Sequence, residues 1–457
     1  MKFKYAGKKI AVVGLGIEGI SSARYLAEHG AKISVRDQKE LAELPQETVK
    51  ELKRLGVEFE TGKKYLENLS DFDFIVRAPG IRPDLPPLKN AVNRGSTLTS
   101  HTQIFFDLCQ SNIIGVTGTK GKGTTSTLIK LMLEAAGKKA FLGGNIGEPP
   151  LDFLDETKPG NWVILELSSF QLIDLQTSPH IAVVLMVTSE HLDWHTSTNE
   201  YQQAKYNIVS HQTERDFAVI NTDYRNSVVF AKETKAEKVW VSLTSEEDPG
   251  VFVKDDKIWR WFKGKYEEVI NTNEVRLPGQ HNLENACAAV AAASIVGVSA
   301  AVIRNTLKEF PGLEHRLELV REWKDKIFYN DSFSTTPETA IAALRSFTKP
   351  MSVILGGSSK NSDYTELGTE VVNNPHLVNA VLIGKTAGEI RKAIKQAGKP
   401  KAKLINGKGK FEEIVKLATQ VTPKGGIVLL SPACASFDMF ENYKQRGLEF
   451  KKIVNNF

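Results

Sequence analysis

Short apolar runs alternate with amphipathic stretches along most of the chain. Residues 8–13 (KKIAVV) predict a buried strand that runs into Gly14-Leu-Gly16-Ile-Glu-Gly19 and a helix to about His29. Further strands are predicted at Lys32–Arg36, ending on Asp37, and at Phe72–Arg77, which leads into Ala78-Pro79-Gly80. The rhythm restarts with a strand at Ile113–Thr117, a glycine-rich loop and a helix at Thr124–Ala136. Strands at Trp162–Leu167, Ile181–Val187 and Phe217–Asn221 follow. Between Glu237 and Val269, short strands with turn residues predict a small antiparallel insertion, and an alanine-rich helix at Asn282–Val296 comes next. A last set begins near Gly312, with strands at Ile327–Tyr329, Val353–Leu355, Ala380–Ile383 and Ile427–Leu430. Near-continuous apolar strands separated by helices mean parallel sheets covered on both faces. The expected fold class is α/β in three consecutive domains, residues 1–100, 101–312 and 313–457.

Length supports several domains, because 457 residues exceed what one hydrophobic core organises. The net charge of +5 is a small excess spread along the chain, with no basic block of the kind that binds nucleic acid. Three cysteines, Cys109, Cys287 and Cys434, lie far apart, which argues against a disulfide framework and fits a reducing compartment. The first apolar run is too short for a signal peptide, and no stretch is long enough to span a bilayer. The expectation is a cytoplasmic monomer with neither nucleic-acid partner nor membrane insertion.

The chemistry concentrates at strand ends. Gly115-Val-Thr-Gly118-Thr119-Lys120-Gly121-Lys122-Gly123-Thr124-Thr125 follows a strand and opens a helix. In that context glycines let backbone N–H groups wrap a phosphate, the helix N-terminus adds positive potential, and Lys122 neutralises the terminal phosphates. Glu166 ends an apolar strand, where open parallel sheets face their ligands, and a carboxylate there is a natural magnesium ligand. His191, Asp193 and His195 raise zinc as an alternative, but alternate spacing in a turn without a cysteine is poor support for it. Gly14, Gly16 and Gly19, with Asp37 eighteen residues beyond Gly19, form a dinucleotide fingerprint. Taken alone that fingerprint would suggest an NAD-dependent dehydrogenase, which has no use for a second phosphate loop.

Several segments in order resemble the Mur ligases. They are Gly118-Thr-Lys-Gly-Lys122, Gly144-Asn145-Ile146-Gly147, Glu166-Leu-Ser-Ser-Phe-Gln171, His191-Leu-Asp193, Gly279-Gln-His-Asn282-Leu-Glu-Asn285, His315-Arg316 and Asn330-Asp331-Ser332. The run from Leu430 to Gly447, with Ser436, Phe437, Tyr443 and Arg446, is similar to the glutamate-adding branch. The resemblance implies Rossmann-like outer domains around a P-loop ATPase-like central one. It implies ATP and Mg2+ as cofactors, and ATP-dependent addition of D-glutamate to UDP-N-acetylmuramoyl-L-alanine through an acyl phosphate. A related ligase adding L-glutamate or another amino acid is the alternative. Gly14, Gly16, Gly19, Asp37 and Gly80 would hold the UDP part, and Asn145, Ser168 and Gln171 the muramoyl-alanine end. Gly118 through Thr124, Asn282, Asn285, Arg316 and Asp331 would hold ATP. Thr335, Lys360, Ser436, Phe437 and Tyr443 would receive glutamate. Lys122, His191 and Lys205 would be catalytic, and Thr124, Glu166, His191 and Lys205, as a carbamate, would meet the metal. A bare ammonium at Lys205 would repel the ions, whereas a carbamate supplies oxygen ligands.

The departures from the family pattern lie near the phosphates. Gly123 stands where a hydroxyl residue is usual, Phe333 where a lysine is, Met186 for a frequent asparagine, and Glu18 for a small hydroxyl residue. A water or the Thr124 hydroxyl is expected to replace the ligand missing at Gly123.

Overall fold

The computed structural model describes residues 3–188, 190–191, 194–262, 264–359 and 362–457. The chain forms two compact units, one of residues 1–270 with 284–306 and the other of 271–283 with 307–457.

The first unit carries two sheets. The smaller uses β1 (Lys9–Val13), β2 (Lys32–Asp37), β3 (Glu58–Thr61), β4 (Phe74–Arg77) and β5 (Thr97–Ser100) in the order β3-β2-β1-β4-β5, all parallel. Ala11, Val12 and Val13 of β1 are fully buried, as a central strand with helices on both faces requires. The larger sheet uses β6 (Asn112–Thr117), β7 (Ala140–Gly144), β8 (Trp162–Glu166), β9 (Ile181–Val184), β10 (Phe217–Asn221), β11 (Glu237–Ser242), β12 (Gly250–Lys254), β13 (Lys257–Phe262) and β14 (Lys265–Asn271). Its order is β14-β13-β12-β11-β10-β9-β6-β8-β7. β6 therefore lies between β8 and β9, and the carboxyl ends of all three open on the same edge.

The segment expected as a small antiparallel insertion extends this sheet, and only part of it is antiparallel. β11 pairs in parallel with β10 and β12 in parallel with β11, and antiparallel pairing begins only between β12 and β13. Turn residues at Thr244–Pro249 look like a hairpin in sequence, but the chain returns to the sheet in the same direction. Two other boundaries shift. The helix after the glycine loop starts at Lys122 rather than Thr124, and the strand expected to reach Val187 ends at Val184.

The second unit holds β15 (Glu318–Trp323), β16 (Lys326–Asn330), β17 (Met351–Gly356), β18 (Leu377–Ile383), β19 (Lys403–Asn406) and β20 (Ile427–Leu430), ordered β15-β16-β20-β17-β18-β19. Only β15 is antiparallel to its neighbour. Helices pack on both faces, giving one apolar cluster around Val353 and Leu355 and another around Ile354 and Val428.

Candidate functional site

The glycine loop is built from the end of β6. Gly121 adopts φ +88°, and a Cβ there would run into the Asn285 carboxamide, so glycine serves both backbone and packing. The loop is tied to the segment after β9. Thr119 N donates to the Met186 carbonyl at 2.7 Å, Thr188 N donates to Thr119 Oγ1 at 2.9 Å, and that hydroxyl meets the Tyr201 hydroxyl at 3.1 Å. Lys120 pairs with Glu190 at 2.5 Å.

Two lysines converge beneath this loop. Lys122 Nζ donates to the carbonyls of Gly118 and Thr119 at 3.1 Å each, and Lys205 Nζ donates to the same Gly118 carbonyl at 3.1 Å and to Thr117 Oγ1 at 3.2 Å. Lys205 is 1% exposed and lies over the Tyr201 ring. Burial, and then the charge of Lys122, push its ammonium well below the ordinary lysine range, against the pull of Glu190 and Glu166.

Glu166 closes the strand next to β6. Its Oε1 accepts from Asn145 Nδ2 at 2.8 Å, while Oε2 is buried with no hydrogen-bond partner among the described residues. A buried carboxylate oxygen is costly to leave unpaired, so this atom suits a cation. His191, at φ +57°, sits 3.6 Å from the Glu190 carboxylate and against Phe170. His195 is buried. Its Nε2 meets Ser169 Oγ at 2.9 Å and its Nδ1 lies 3.4 Å from Glu200. Its ring packs against Phe170 and Tyr201. Asp193, the middle of the weighed zinc triplet, lies outside the described residues. Thr124 is buried in the first turn of the helix Lys122–Ala135.

A cavity of about 630 Å³ adjoins these groups, lined by Gly14, Gly16, Glu18, Asp37, Gly80 and Asn145 among others. Asp37 Oδ2 accepts from Leu15 N at 2.7 Å, which braces the loop. Gly19 does not line the cavity. A Cβ there would strike the Gly14 carbonyl, so Gly19 allows the helix to approach the strand. Ser168 and Gln171 form a reciprocal cap, and Gln171 Nε2 donates to Glu18 Oε1 at 2.5 Å. The Glu18 Oε2 is buried and unpaired among the described residues, and burial raises the carboxyl to about 7 against the pull of Gln171 and Arg77.

In the second unit Asp331 is buried, with Oδ2 accepting from Ser431 Oγ at 2.7 Å and Oδ1 from Leu317 N at 3.2 Å. Burial raises it too to about 7. Ser436 is buried, Phe437 is 71% exposed, and Tyr443 opens the helix Tyr443–Asn455. Thr335 lies just before Thr336, the N-cap of the helix Pro337–Arg345, and Asn282 Nδ2 donates to the Pro278 carbonyl at 2.7 Å. Lys360 lies outside the described residues.

Matched segments cover most of the chain. Residues 8–100 match the Mur ligase MurD-like N-terminal domain, 116–293 the Mur ligase middle domain, and 315–434 the Mur ligase glutamate ligase domain. The UDP-N-acetylmuramoylalanine--D-glutamate ligase of Acetivibrio thermocellus is 41% identical, over 100% of this chain and 98% of its own length. The chain belongs to the Mur ligase family. A second Mur ligase of the same description, from Symbiobacterium thermophilum, is 39% identical over 98% of each chain. Among solved structures, the pseudomurein peptide ligase type C of Methanothermus fervidus aligns at TM-score 0.58 and 18% identity, covering 98% of this chain and 99% of its own. MurF from Acinetobacter baumannii aligns at TM-score 0.59 and 16% identity, over 96% and 93%. These structures share the Mur ligase fold.

Some supports of the site have partners with no signal in the sequence, Arg446 included, which the sequence marks only as part of the Leu430–Gly447 run. Arg77, fully buried at the end of β4, donates to Asp174 and to the Phe170 carbonyl. Arg446, also buried, donates to Ser332 Oγ at 3.0 Å and to the Cys434 carbonyl at 3.1 Å, joining two turns of the second unit. Tyr201 is anchored at the loop from 82 residues away. Each pairing depends on chain segments brought together only by the fold.

Proposed function

We propose that this Mur ligase joins D-glutamate to UDP-N-acetylmuramoyl-L-alanine at the expense of ATP, through an acyl phosphate. The observation that carries the reading is full-length identity of 36–41% to relatives described as UDP-N-acetylmuramoylalanine--D-glutamate ligases. Residues 1–100 would take the UDP-sugar at the cavity beside Gly14, Gly16, Asp37 and Gly80. Residues 101–312 would take ATP on the loop from Gly118 to Thr124, and residues 313–457 glutamate near Thr335, Ser436, Phe437 and Tyr443. Asn282, Asn285, Arg316 and Asp331 would add contacts to the nucleotide.

In the first step a substrate carboxylate oxygen attacks the γ-phosphorus and ADP leaves. In the second the glutamate amine attacks the acyl carbon, loses a proton and expels phosphate. Both steps gather negative charge, so positioning and charge neutralisation dominate. Lys122 supports this role because its ammonium already lies against the loop that would wrap the phosphates. Asn145, bonded to Glu166 and lining the cavity, would orient the muramoyl-alanine end, together with Ser168 and with Gln171, which is bonded to the cavity residue Glu18.

The unpaired Glu166 Oε2 fits a divalent cation. Glu166, His191, Thr124 and a carbamylated Lys205 would hold Mg2+, which when bound offsets phosphate charge. Carbon dioxide adds to the neutral amine of a lysine, releasing one proton, and the burial of Lys205 shifts its ammonium in that direction. Phosphate release with UDP-N-acetylmuramoyl-L-alanine and a panel of D- and L-amino acids tests the proposal. Turnover with D-glutamate is expected, and turnover confined to another amino acid would overturn it.

A further inference from the structure

The second unit contains an aromatic contact where the family pattern puts a positive charge. The Arg316 guanidinium carbon lies 3.8 Å from the centroid of the Phe333 ring, well inside the range of a cation–π contact. The same ring meets Tyr443, edge to face, with centroids 5.1 Å apart and planes at 89°.

The backbone around Arg316 is fixed just as closely. His315 and Leu317, its two neighbours, have φ of +64° and +45°; histidine enters this left-handed region more readily than most residues, whereas leucine seldom does. Phe333 N donates to the His315 carbonyl at 3.0 Å, and Leu317 N donates to Asp331 Oδ1 at 3.2 Å. The His315 ring also meets Tyr443 edge to face at 6.0 Å. Ser332 Oγ donates to the Tyr443 carbonyl at 2.8 Å. Arg316, Phe333 and Tyr443 thus form a braced stack, in which the strained arginine turn is held from two sides.

We propose that Phe333 is a positioning residue: its ring holds the Arg316 guanidinium in the orientation that meets the nucleotide, and its contact with Tyr443 passes the same constraint to the amino-acid pocket. This rests on the function proposed above, which places Arg316 at the nucleotide and Tyr443 at the glutamate. A lysine at 333 has no ring face to offer the guanidinium, so the contact that holds Arg316 here exists only with an aromatic residue at this position. Arg316 and Phe333 are both partly exposed, so replacing the ring leaves the core of the unit intact.

The test compares Phe333→Leu, Phe333→Lys, Phe333→Tyr and Arg316→Ala for the Michaelis constants of all three substrates, for kcat and for melting temperature. Phe333→Leu is expected to raise KM for ATP about fivefold and KM for glutamate about twofold, with KM for the UDP-substrate unchanged. Phe333→Lys should raise KM for ATP further, and Phe333→Tyr should restore it to near the native value. An unchanged KM for ATP in Phe333→Leu and Phe333→Lys, while Arg316→Ala raises it, would overturn the positioning role and leave the proposed reaction standing. An equal rise for all three substrates that follows a fall in melting temperature would also overturn it, because that is the mark of a structural role alone. An Arg316→Ala variant with native KM for ATP would remove both the stack's purpose and the nucleotide assignment of Arg316.

Discussion

The Trp194 indole N–H donates to the Gly80 carbonyl oxygen at 3.0 Å, across 114 residues of sequence. Gly80 lines the cavity beside the Gly14 loop, and Trp194 follows the segment that carries His191. Arg82 reinforces the junction: it donates to the Trp194 carbonyl at 2.6 Å, pairs with Glu200 at 2.9 Å and lies over the indole ring. The wall of the expected UDP site and the loop of the expected metal site are therefore joined inside one compact unit.

Trp194→Phe removes the indole donor while keeping a ring against Phe170. One hydrogen bond of about 1 kcal/mol corresponds to roughly a fivefold change in an equilibrium constant. KM for the UDP-substrate is expected to rise by about that factor, with KM for glutamate unchanged. Steady-state kinetics checks this, and a native KM for the UDP-substrate would show that the bond does not shape the site.

Lys205→Ala is expected to be nearly inactive with normal circular dichroism, since the amine it removes bonds only to the Thr117 hydroxyl and the Gly118 carbonyl among the described residues. Short-chain carboxylic acids should restore part of the activity by supplying the oxygens of the lost carbamate. Failure of rescue, together with a clearly unmodified Lys205 in an active crystal form, would remove the carbamate from the mechanism.

The strands legible in the sequence were the buried ones. KIAVV, IAVV and IVLL carry no polar alternation because helices cover both faces of their sheets. β3 (EFET), with its exposed glutamates, and the edge strand β19 (KLIN) carry no such signal. The phosphate loop was legible because its chemistry is local, with strand, glycines and lysine in one stretch. The partners that hold it, Met186, Tyr201 and Lys205, are long-range, and periodicity says nothing about them. Lys205 itself, on a polar helix, reads as a solvated lysine until the fold buries it.

Glu18 provides a stability test with a defined sign. Its carboxyl rises from an ordinary 4.5 to about 7 in the fold, through burial. Although the residue as a whole is partly exposed, Oε2 is buried, and that atom carries the effect. Between those values the folded state keeps a proton that the unfolded state has lost. Stability contributed by the neutral acid is thus full below about 4.5, falls as pH rises towards 7 and levels off above. Glu18→Gln lacks this slope. Its melting temperature relative to the native protein should climb from pH 5 to pH 8, and a flat difference would show that Glu18 ionises freely in the fold.

Gly123 is where the chain departs from its own phosphate-loop motif, and the structure removes one objection to restoring the hydroxyl. Gly123 lies in the helix Lys122–Ala135 and is absent from the glycines with positive φ, so serine there meets no left-handed strain. Magnesium takes about six oxygen ligands and readily keeps water among them, so the native glycine need not cost the metal. Gly123→Ser should bind magnesium-ATP at least as well as the native protein. The two threonines beyond it separate by their surroundings. Thr125 is fully buried and its Oγ1 faces the Asn285 carbonyl at 3.5 Å, whereas Thr124 retains 7% exposure. Thr124→Ala is therefore expected to weaken the apparent magnesium affinity several-fold, roughly the loss of one hydroxyl contact of about 1 kcal/mol. Thr125→Ala should lower the melting temperature instead, with magnesium dependence unchanged. Titration of ATP hydrolysis or binding against magnesium distinguishes them. Equal and negligible shifts in both threonine variants would mean that water alone replaces the missing ligand, and loss of ATP binding in a folded Gly123→Ser protein would show that the phosphates sit in a different register on the loop.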